Sequence, residues 1–254
     1  LIAPVFTPLT DDGELNLDVI EQYAKNLKSK GLSGVFVLGS SGEGLLLSTK
    51  ERESVVECWS RYTNENFRLI VHVGATSYRD ARQLAKHARA HGAFAISSMG
   101  PSFLQPKRVE ELVAYCDQIA SAVPDLPFYY YHIPVRSGIT LNTFDFLKSA
   151  SEKISNLAGI KYTDSNFMEV QQCLAFADHK YDILFGSDAS FICGLVLGIE
   201  GGIGTTYNFM PQVYYKMIDA YNRLDLTEAR KQQFFSVQVN AIIARYGGGI
   251  VAGK

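Results

Sequence analysis

The sequence predicts an α/β fold: a (β/α)8 TIM barrel with an additional helical region at its C-terminal end that breaks off. Three observations carry this expectation. Short β-branched or aromatic runs alternate with longer amphipathic stretches eight times in succession. The short runs, such as Leu69-Ile70-Val71-His72-Val73, are nearly continuous in apolar character, as parallel strands buried on both faces are. No long linker separates the units, and no GxGxxG turn follows the first strand, which sets the pattern apart from an open doubly wound sheet.

The units read in order. Ile2–Pro8 is a strand followed by a helix over Leu17–Lys30, and Gly34–Leu38 a strand followed by Ser48–Tyr62. Ser48 with Glu51 forms a capping box at that second helix. Leu69–Val73 pairs with Tyr78–His91, Phe94–Ser98 with Pro106–Ala122, and Phe128–Ile133 with Leu141–Ala150. Leu157–Tyr162 leads to Phe167–Ala177, Ile183–Phe185 to Ala189–Leu197, and Gly202–Thr205 to Pro211–Leu224. Residues 1–224 thus make the barrel, and 225–254 begin a C-terminal helical extension of the same domain, with a helix over Leu226–Tyr246. With no Met at position 1 and no evident terminus at Lys254, the chain is expected to be a fragment or an ordered region.

Composition narrows the function. The 254 residues carry a net charge of −2, are 47% hydrophobic and 20% charged, and contain no basic tail or patch. Nucleic acid and membrane are therefore excluded as expected partners: the electrostatic footprint of the first and an apolar run of ~18 residues for the second are both missing. Leu1-Ile2-Ala3-Pro4 has neither a basic n-region nor a cleavage site. Cys58, Cys116, Cys173 and Cys193 are widely spaced, with no CxxC pair. They read as buried reduced thiols in a cytoplasmic protein. The five histidines show no HExxH or comparable spacing, and no metal is expected.

In such barrels the chemistry sits at the C-terminal ends of the strands. Lys161 lies in the apolar run Leu157-Ala158-Gly159-Ile160. A buried ammonium costs several kcal/mol unless paired and responds by losing its proton, which suits Schiff-base chemistry on a carbonyl. An outward lysine reaching solvent is the alternative. Tyr131, on the neighbouring strand, could bring a phenol to that amine as acid and base. Alternation puts Tyr129 and Tyr131 on one face and Tyr130 on the other, but periodicity does not say which face is inside. Gly39-Ser40-Ser41-Gly42 reads either as an anion site or as a capped βα loop. Asp188 and Thr205 are open to the same two readings, as ligand contacts or as helix caps.

Together these residues resemble the N-acetylneuraminate lyase branch of the pyruvate-dependent class I aldolases, a superfamily that includes dihydrodipicolinate synthase. Gly39-x-x-Gly42-Glu43, Tyr131-x-Ile133-Pro134 and Gly159-Ile160-Lys161 occur in order on the corresponding strands, and the resemblance runs from Val5-Phe6-Thr7-Pro8 to Gly247-Gly248. It implies that Lys161 is the Schiff-base lysine and Tyr131 the proton-shuttling tyrosine. Ser40 and Ser41 then fall at the pair that holds the pyruvate carboxylate. Thr163, Gly186, Asp188 and Thr205 match substrate-contacting positions. The implied reaction cleaves N-acetylneuraminate to N-acetyl-D-mannosamine and pyruvate without any cofactor, in a homotetramer whose members generally extend beyond the last residues matched.

Two positions depart from the lyase pattern. Ala189 stands where lyases carry a glutamate that binds sugar hydroxyls, and Arg136 where they carry an apolar residue and the synthases a carboxylate-binding arginine. Ser102-Phe103 in turn replaces the paired tyrosines of the synthase relay. Another pyruvate aldolase or synthase, with Arg136 as a second carboxylate contact, and a non-catalytic keto-acid-binding barrel are the alternatives.

Overall fold

A computed structural model describes residues 1–254. Seven parallel strands follow one another in chain order: β1 (Ile2–Pro4), β2 (Gly34–Val37), β3 (Arg68–His72), β4 (Ala95–Ser98), β5 (Phe128–His132), β6 (Leu157–Tyr162) and β7 (Asp182–Phe185). Residues 201–203 close the barrel. Phe185 N–H donates to Gly201 O (3.0 Å), Ile203 N–H to Phe185 O (2.9 Å), and Ile2 N–H to Gly202 O (3.0 Å). The expected eighth strand over Gly202–Thr205 is therefore reduced to a two-residue bridge. Its shortness has a local cause. The Asp188 carboxylate accepts from the backbone N–H (2.8 Å) and the hydroxyl (2.7 Å) of Thr206, drawing Thr205–Asn208 into a 3-10 turn.

The first strand is also shorter than its apolar run. After Val5 N–H, which donates to Phe36 O (3.2 Å), the chain leaves the ladder. Thr7 instead gives its hydroxyl to Gly42 O (2.6 Å), and Pro8 has no N–H to offer.

The helices lie outside: α1 (Ile20–Ser29), α2 (Thr49–Ser60), α3 (Tyr78–Ala90), α4 (Val109–Ala120), a one-turn α5 (Pro134–Ser137), α6 (Thr143–Lys153), α7 (Phe167–Ala175), α8 (Phe191–Leu197) and α9 (Pro211–Asn222). Periodicity explains their seating. In α3 the buried residues are Ala81, Leu84, Ala85 and Ala88, one helical stripe. The Ser48–Glu51 capping box is closed in both directions, at 3.3 and 2.7 Å. Beyond the barrel, α10 (Leu226–Arg245) packs on α9, and α11 (Gly248–Val251) follows it. No helix is long and apolar enough to cross a membrane. Cys58, Cys116 and Cys173 are buried free thiols, whereas Cys193 is only half-buried, a correction to the expectation that all four are enclosed.

Strand alternation divides the core in two. Phe36, Ile70, Ala95, Tyr129, Tyr131 and Leu184 belong to a separate cluster that fills the lumen. Their strand neighbours, Tyr130 and Ile160 among them, join the large cluster packed under the helices. Tyr130 meets Phe146 of α6 at 4.2 Å between ring centroids. The face left open by periodicity is thereby assigned: Tyr129 and Tyr131 point inward. Register pairs Tyr131 with Lys161 and Lys161 with Leu184, so the lysine occupies the same interior layer.

A polar strut supports the mouth of the barrel. Arg52 of α2, 3% exposed, donates to the carbonyls of Gly74 (3.0 Å) and His72 (2.8 Å). The His72 ring bonds through Nδ1 to Leu38 O (3.1 Å) and accepts from Met99 N–H at Nε2 (3.4 Å). This fixes the neutral Nδ1–H tautomer. It also anchors Leu38, whose φ of +61° is unusual for a residue with a side chain. Burial, then the charges of Arg52 and Lys161, push the His72 pKa down to about 3.

Two outcomes follow for stability. The unfolded chain takes up a proton on His72 below its ordinary value of 6.5 that the native chain refuses until about 3, so stability is lost as pH falls through that window. The loss attributable to this ring is about 3 kcal/mol at pH 4. Urea unfolding at pH 7 and pH 4 measures it, and His72→Asn flattens the difference. At Gly159 a Cβ would lie 1.9 Å from the carbonyl oxygen of Asp182. Gly159→Ala forces β6 from β7 and costs about 3 kcal/mol in the same assay.

Candidate active site

Lys161 is 4% exposed and Tyr131 3%. The lysine Nζ lies 3.7 Å from the centroid of the Tyr131 ring and 4.4 Å from that of Phe36. Burial holds the Lys161 pKa below its ordinary 10.5, against opposing contributions from Tyr131 and Asp188. For Tyr131 burial acts upward, but the Lys161 charge and the hydroxyl of Ser40 outweigh it and hold the phenol below 10. The two groups titrate as a pair: the lysine charge eases proton loss from the phenol, and the phenolate so formed holds the lysine proton more firmly.

Around this pair the strand ends supply hydroxyls. Ser40 Oγ lies 3.3 Å from Tyr131 OH, and Ser41 Oγ lies 3.0 Å from Thr205 Oγ1. Thr163 Oγ1 is buried with no hydrogen-bond partner. It faces the phenol without completing a bond. Gly186 makes room for it, since a Cβ there would stand 1.8 Å from the Thr163 hydroxyl oxygen.

The Gly39–Gly42 turn combines both of the readings it allowed. Its chain path is bracketed by positive φ at Leu38 (+61°) and Glu43 (+52°). A Cβ on Gly39 would meet the Phe36 ring at 2.3 Å, so the turn can pack on that ring only with glycine. The backbone N–H groups of Ser41 and Gly42 donate to no backbone acceptor. Two free amides beside two hydroxyls form a nest that fits a carboxylate.

A cavity of about 250 Å³ opens here, lined among others by Ser40, His72, Met99, Tyr131, Arg136 and Ile250. Tyr131 lines this cavity, and the Lys161 amine lies against its ring. Arg136 follows Pro134 on α5 and is exposed at the rim. Ala189 is likewise exposed. Asp188 is more firmly tied. Besides Thr206, it engages α10 through its carbonyl oxygen, which accepts from Gln233 Nε2 (3.3 Å) and Ser236 Oγ (3.2 Å). Its capping role is thus satisfied whether or not a ligand is bound.

Sequence reasoning assigned no role to four contributors. His72 interrupts an apolar strand in the way Lys161 does, and that signal was available. Glu43 and Ile250 line the same cavity, and Lys254 forms an ion pair with Glu43. Nothing local in Gly247-Gly248-Gly249-Ile250 announces that this segment returns to the mouth.

Comparison with known proteins agrees with this geometry. The model of the dihydrodipicolinate synthetase family matches residues 1–248. N-acetylneuraminate lyase B of Xenopus laevis is 40% identical over 236 residues, covering 92% of this chain and 88% of that protein. The Gallus gallus N-acetylneuraminate lyase is 35% identical over 257 residues, covering 100% of this chain and 83% of the other. The solved structure of Proteus mirabilis N-acetylneuraminate lyase superposes with a TM-score of 0.95 at 36% identity, over 98% of this chain and 84% of that one. A closed barrel with a lysine and a tyrosine paired across adjacent strand ends, matched over nearly its whole length, places the chain in the dihydrodipicolinate synthetase family.

Proposed function

We propose that this chain is a Schiff-base aldolase that cleaves N-acetylneuraminate to N-acetyl-D-mannosamine and pyruvate. The observation that carries the reading is the Lys161 amine, buried in the lumen 3.7 Å from the ring of Tyr131. Relatives named N-acetylneuraminate lyase at 35–40% identity support the substrate.

In this reading Lys161 attacks the C2 ketone and water leaves, giving a protonated imine. The substrate carboxylate rests on Ser40, Ser41 and the free amides of their turn. Tyr131, as phenolate, takes the C4 hydroxyl proton while the C3–C4 bond breaks, and its electron pair passes into the imine to form an enamine. The aldehyde sugar leaves. The proton Tyr131 has taken is given up as the enamine is protonated at C3, water adds to the imine, and pyruvate is released with Lys161 and the phenolate restored. Ser40 steadies the phenol through this cycle. Thr163 contacts the substrate beside the lysine, and Gly186, Asp188 and Thr205 line the path of the sugar chain. No cofactor is required, since the imine itself is the electron sink.

Arg136 favours a second reading. A guanidinium on the cavity rim would suit a substrate with a further carboxylate, such as a 2-keto-3-deoxy sugar acid, and Ala189 removes a sugar-hydroxyl ligand. We also infer a homotetramer in the cytoplasm. Exposed Phe103, Leu104, Val135 and Tyr246 offer apolar surface for subunit contacts, and four free cysteines suit a reducing compartment. Residues 1–224 as the barrel with 225–254 as its extension complete the proposal.

Pyruvate with borohydride is expected to leave a reduced covalent adduct, read by intact mass, that is absent in Lys161→Ala. An adduct that persists in that variant removes Lys161 from its role. Tyr131→Phe should keep the adduct but lower kcat for cleavage by 10² to 10⁴-fold, roughly the worth of a positioned acid–base. Turnover of a 2-keto-3-deoxy sugar acid without cleavage of N-acetylneuraminate would give the site to the second reading. Because burial lowers the Lys161 pKa, the free amine persists to lower pH than an exposed lysine would allow. Adduct formation should therefore fall on the acid side only once pH drops below that depressed value, and this is read from its initial rate against pH.

A further inference from the structure

Outside the barrel, where α2 and α3 pack side by side, three potential ligands converge. His87 in the last turn of α3 and His91, the residue that caps its C-terminus, have ring centroids 4.1 Å from each other. Glu57 of α2 reaches across the seam, with its Oε1 3.1 Å from His87 Nε2. One ligand atom from each of Glu57, His87 and His91 lies within 4.8 Å of the others. The spacing i, i+4 escapes a search for HExxH because the acid comes from a different helix.

We propose that Glu57, His87 and His91 form a surface site for a divalent transition ion of the zinc class, with water in the remaining position. Two imidazoles and one carboxylate are a donor set that suits such an ion. Tetrahedral ligands with bonds of ~2.0–2.2 Å stand roughly 3.4 Å apart, so small rotations of the side chains close the site. The tautomer of one ligand is already set. His91 donates from Nδ1 to the His87 carbonyl oxygen (2.9 Å), which leaves the Nε2 lone pair free. His87 presents Nε2 to Glu57, so the nitrogen and the carboxylate oxygen already converge on one point.

The frame is stiff enough to hold the ligands. One turn earlier, Gln83 of α3 donates to Glu53 of α2 (2.8 Å), a second rung across the same seam. Below it, Ala81, Leu84, Ala85 and Ala88 seat α3 on the core. Access is open, because the Glu57 side chain is 46% exposed and that of His87 15%. An ion bound here bridges two helices in the native state alone and stabilises that state by mass action. The site does not depend on which keto acid the barrel handles.

Titration of the full chain with Co²⁺ tests the assignment. Visible d–d absorption should grow to one equivalent per chain and be displaced by Zn²⁺. His91→Gln should weaken Co²⁺ at least tenfold while leaving borohydride-trapped adduct formation at its wild-type rate. Glu57→Gln, at an exposed position that folding does not require, should weaken it in the same direction. Zn²⁺ should raise the Tm of the wild type and not of either variant. Absence of d–d bands, or bands of equal strength in both variants, overturns the proposal.

Discussion

The structure is organised around one unfavourable act, the removal of the Lys161 amine from water. No carboxylate contacts it; the nearest acid to influence it, Asp188, has one oxygen committed to Thr206. What faces Nζ instead is aromatic, the rings of Tyr131 and Phe36. A cation over such faces gains about 0.5–2 kcal/mol, whereas burying an ion costs several. The desolvation cost wins, and the proton is held loosely. The partner phenol has the opposite sign of problem, and the same short distance that eases proton loss from the tyrosine draws charge back toward the lysine. The barrel supplies the rigidity that keeps these two groups together in the lumen.

Much of this was legible in the sequence, for reasons that differ by element. Lys161 stood out because a charge in an apolar strand has few explanations, and the parallel register that places it beside Tyr131 follows from strand order alone. The helices of the eight units were readable from their period, and the Ser48–Glu51 box from its spacing. The eighth strand was not. Gly202-Ile203-Gly204-Thr205 carries strand-like composition, but Asp188, far away in sequence, captures Thr206 and turns the chain. Nor could alternation alone choose the inner face of Tyr129-Tyr130-Tyr131. Tyr130 and Phe146 settle it by packing across the strand–helix layer, a contact that no window of sequence contains. His72 was visible as an anomaly of the same kind as Lys161, yet its partners Arg52, Leu38 and Met99 are tertiary.

The polar struts share a design. Arg52 reaches from α2 to the carbonyls of His72, the last residue of β3, and of Gly74 just beyond it, and His72 passes that support to Leu38 at the start of the Ser40–Ser41 turn. On the opposite side, Gln233 and Ser236 of α10 hold the carbonyl of Asp188, whose carboxylate holds the Thr205–Asn208 turn. The chain at the ends of β3 and β7 is thus tied to a helix by hydrogen bonds to its backbone. Such bonds contribute modestly to stability, but breaking one leaves a buried group unpaired at a cost of about 1–3 kcal/mol. These bonds add to apolar contacts such as that of Gly39 on the Phe36 ring.

The buried pair and the exposed rim are held by different parts of the fold. Lys161 and Tyr131 sit on β6 and β5, where neighbouring strands fix their backbone by ladder hydrogen bonds. Arg136 sits on a one-turn helix and Ala189 in a short 3-10 turn, both exposed at the rim. Replacing a rim side chain alters what the far end of a ligand meets, at the modest cost of a surface substitution. Moving a strand residue by one position would turn its side chain from the lumen to the helix layer and remove it from the site altogether. A departure from a relative's pattern at Arg136 or Ala189 therefore changes an exposed side chain and not the strand positions. It leaves untouched the reason an amine is buried against a phenol.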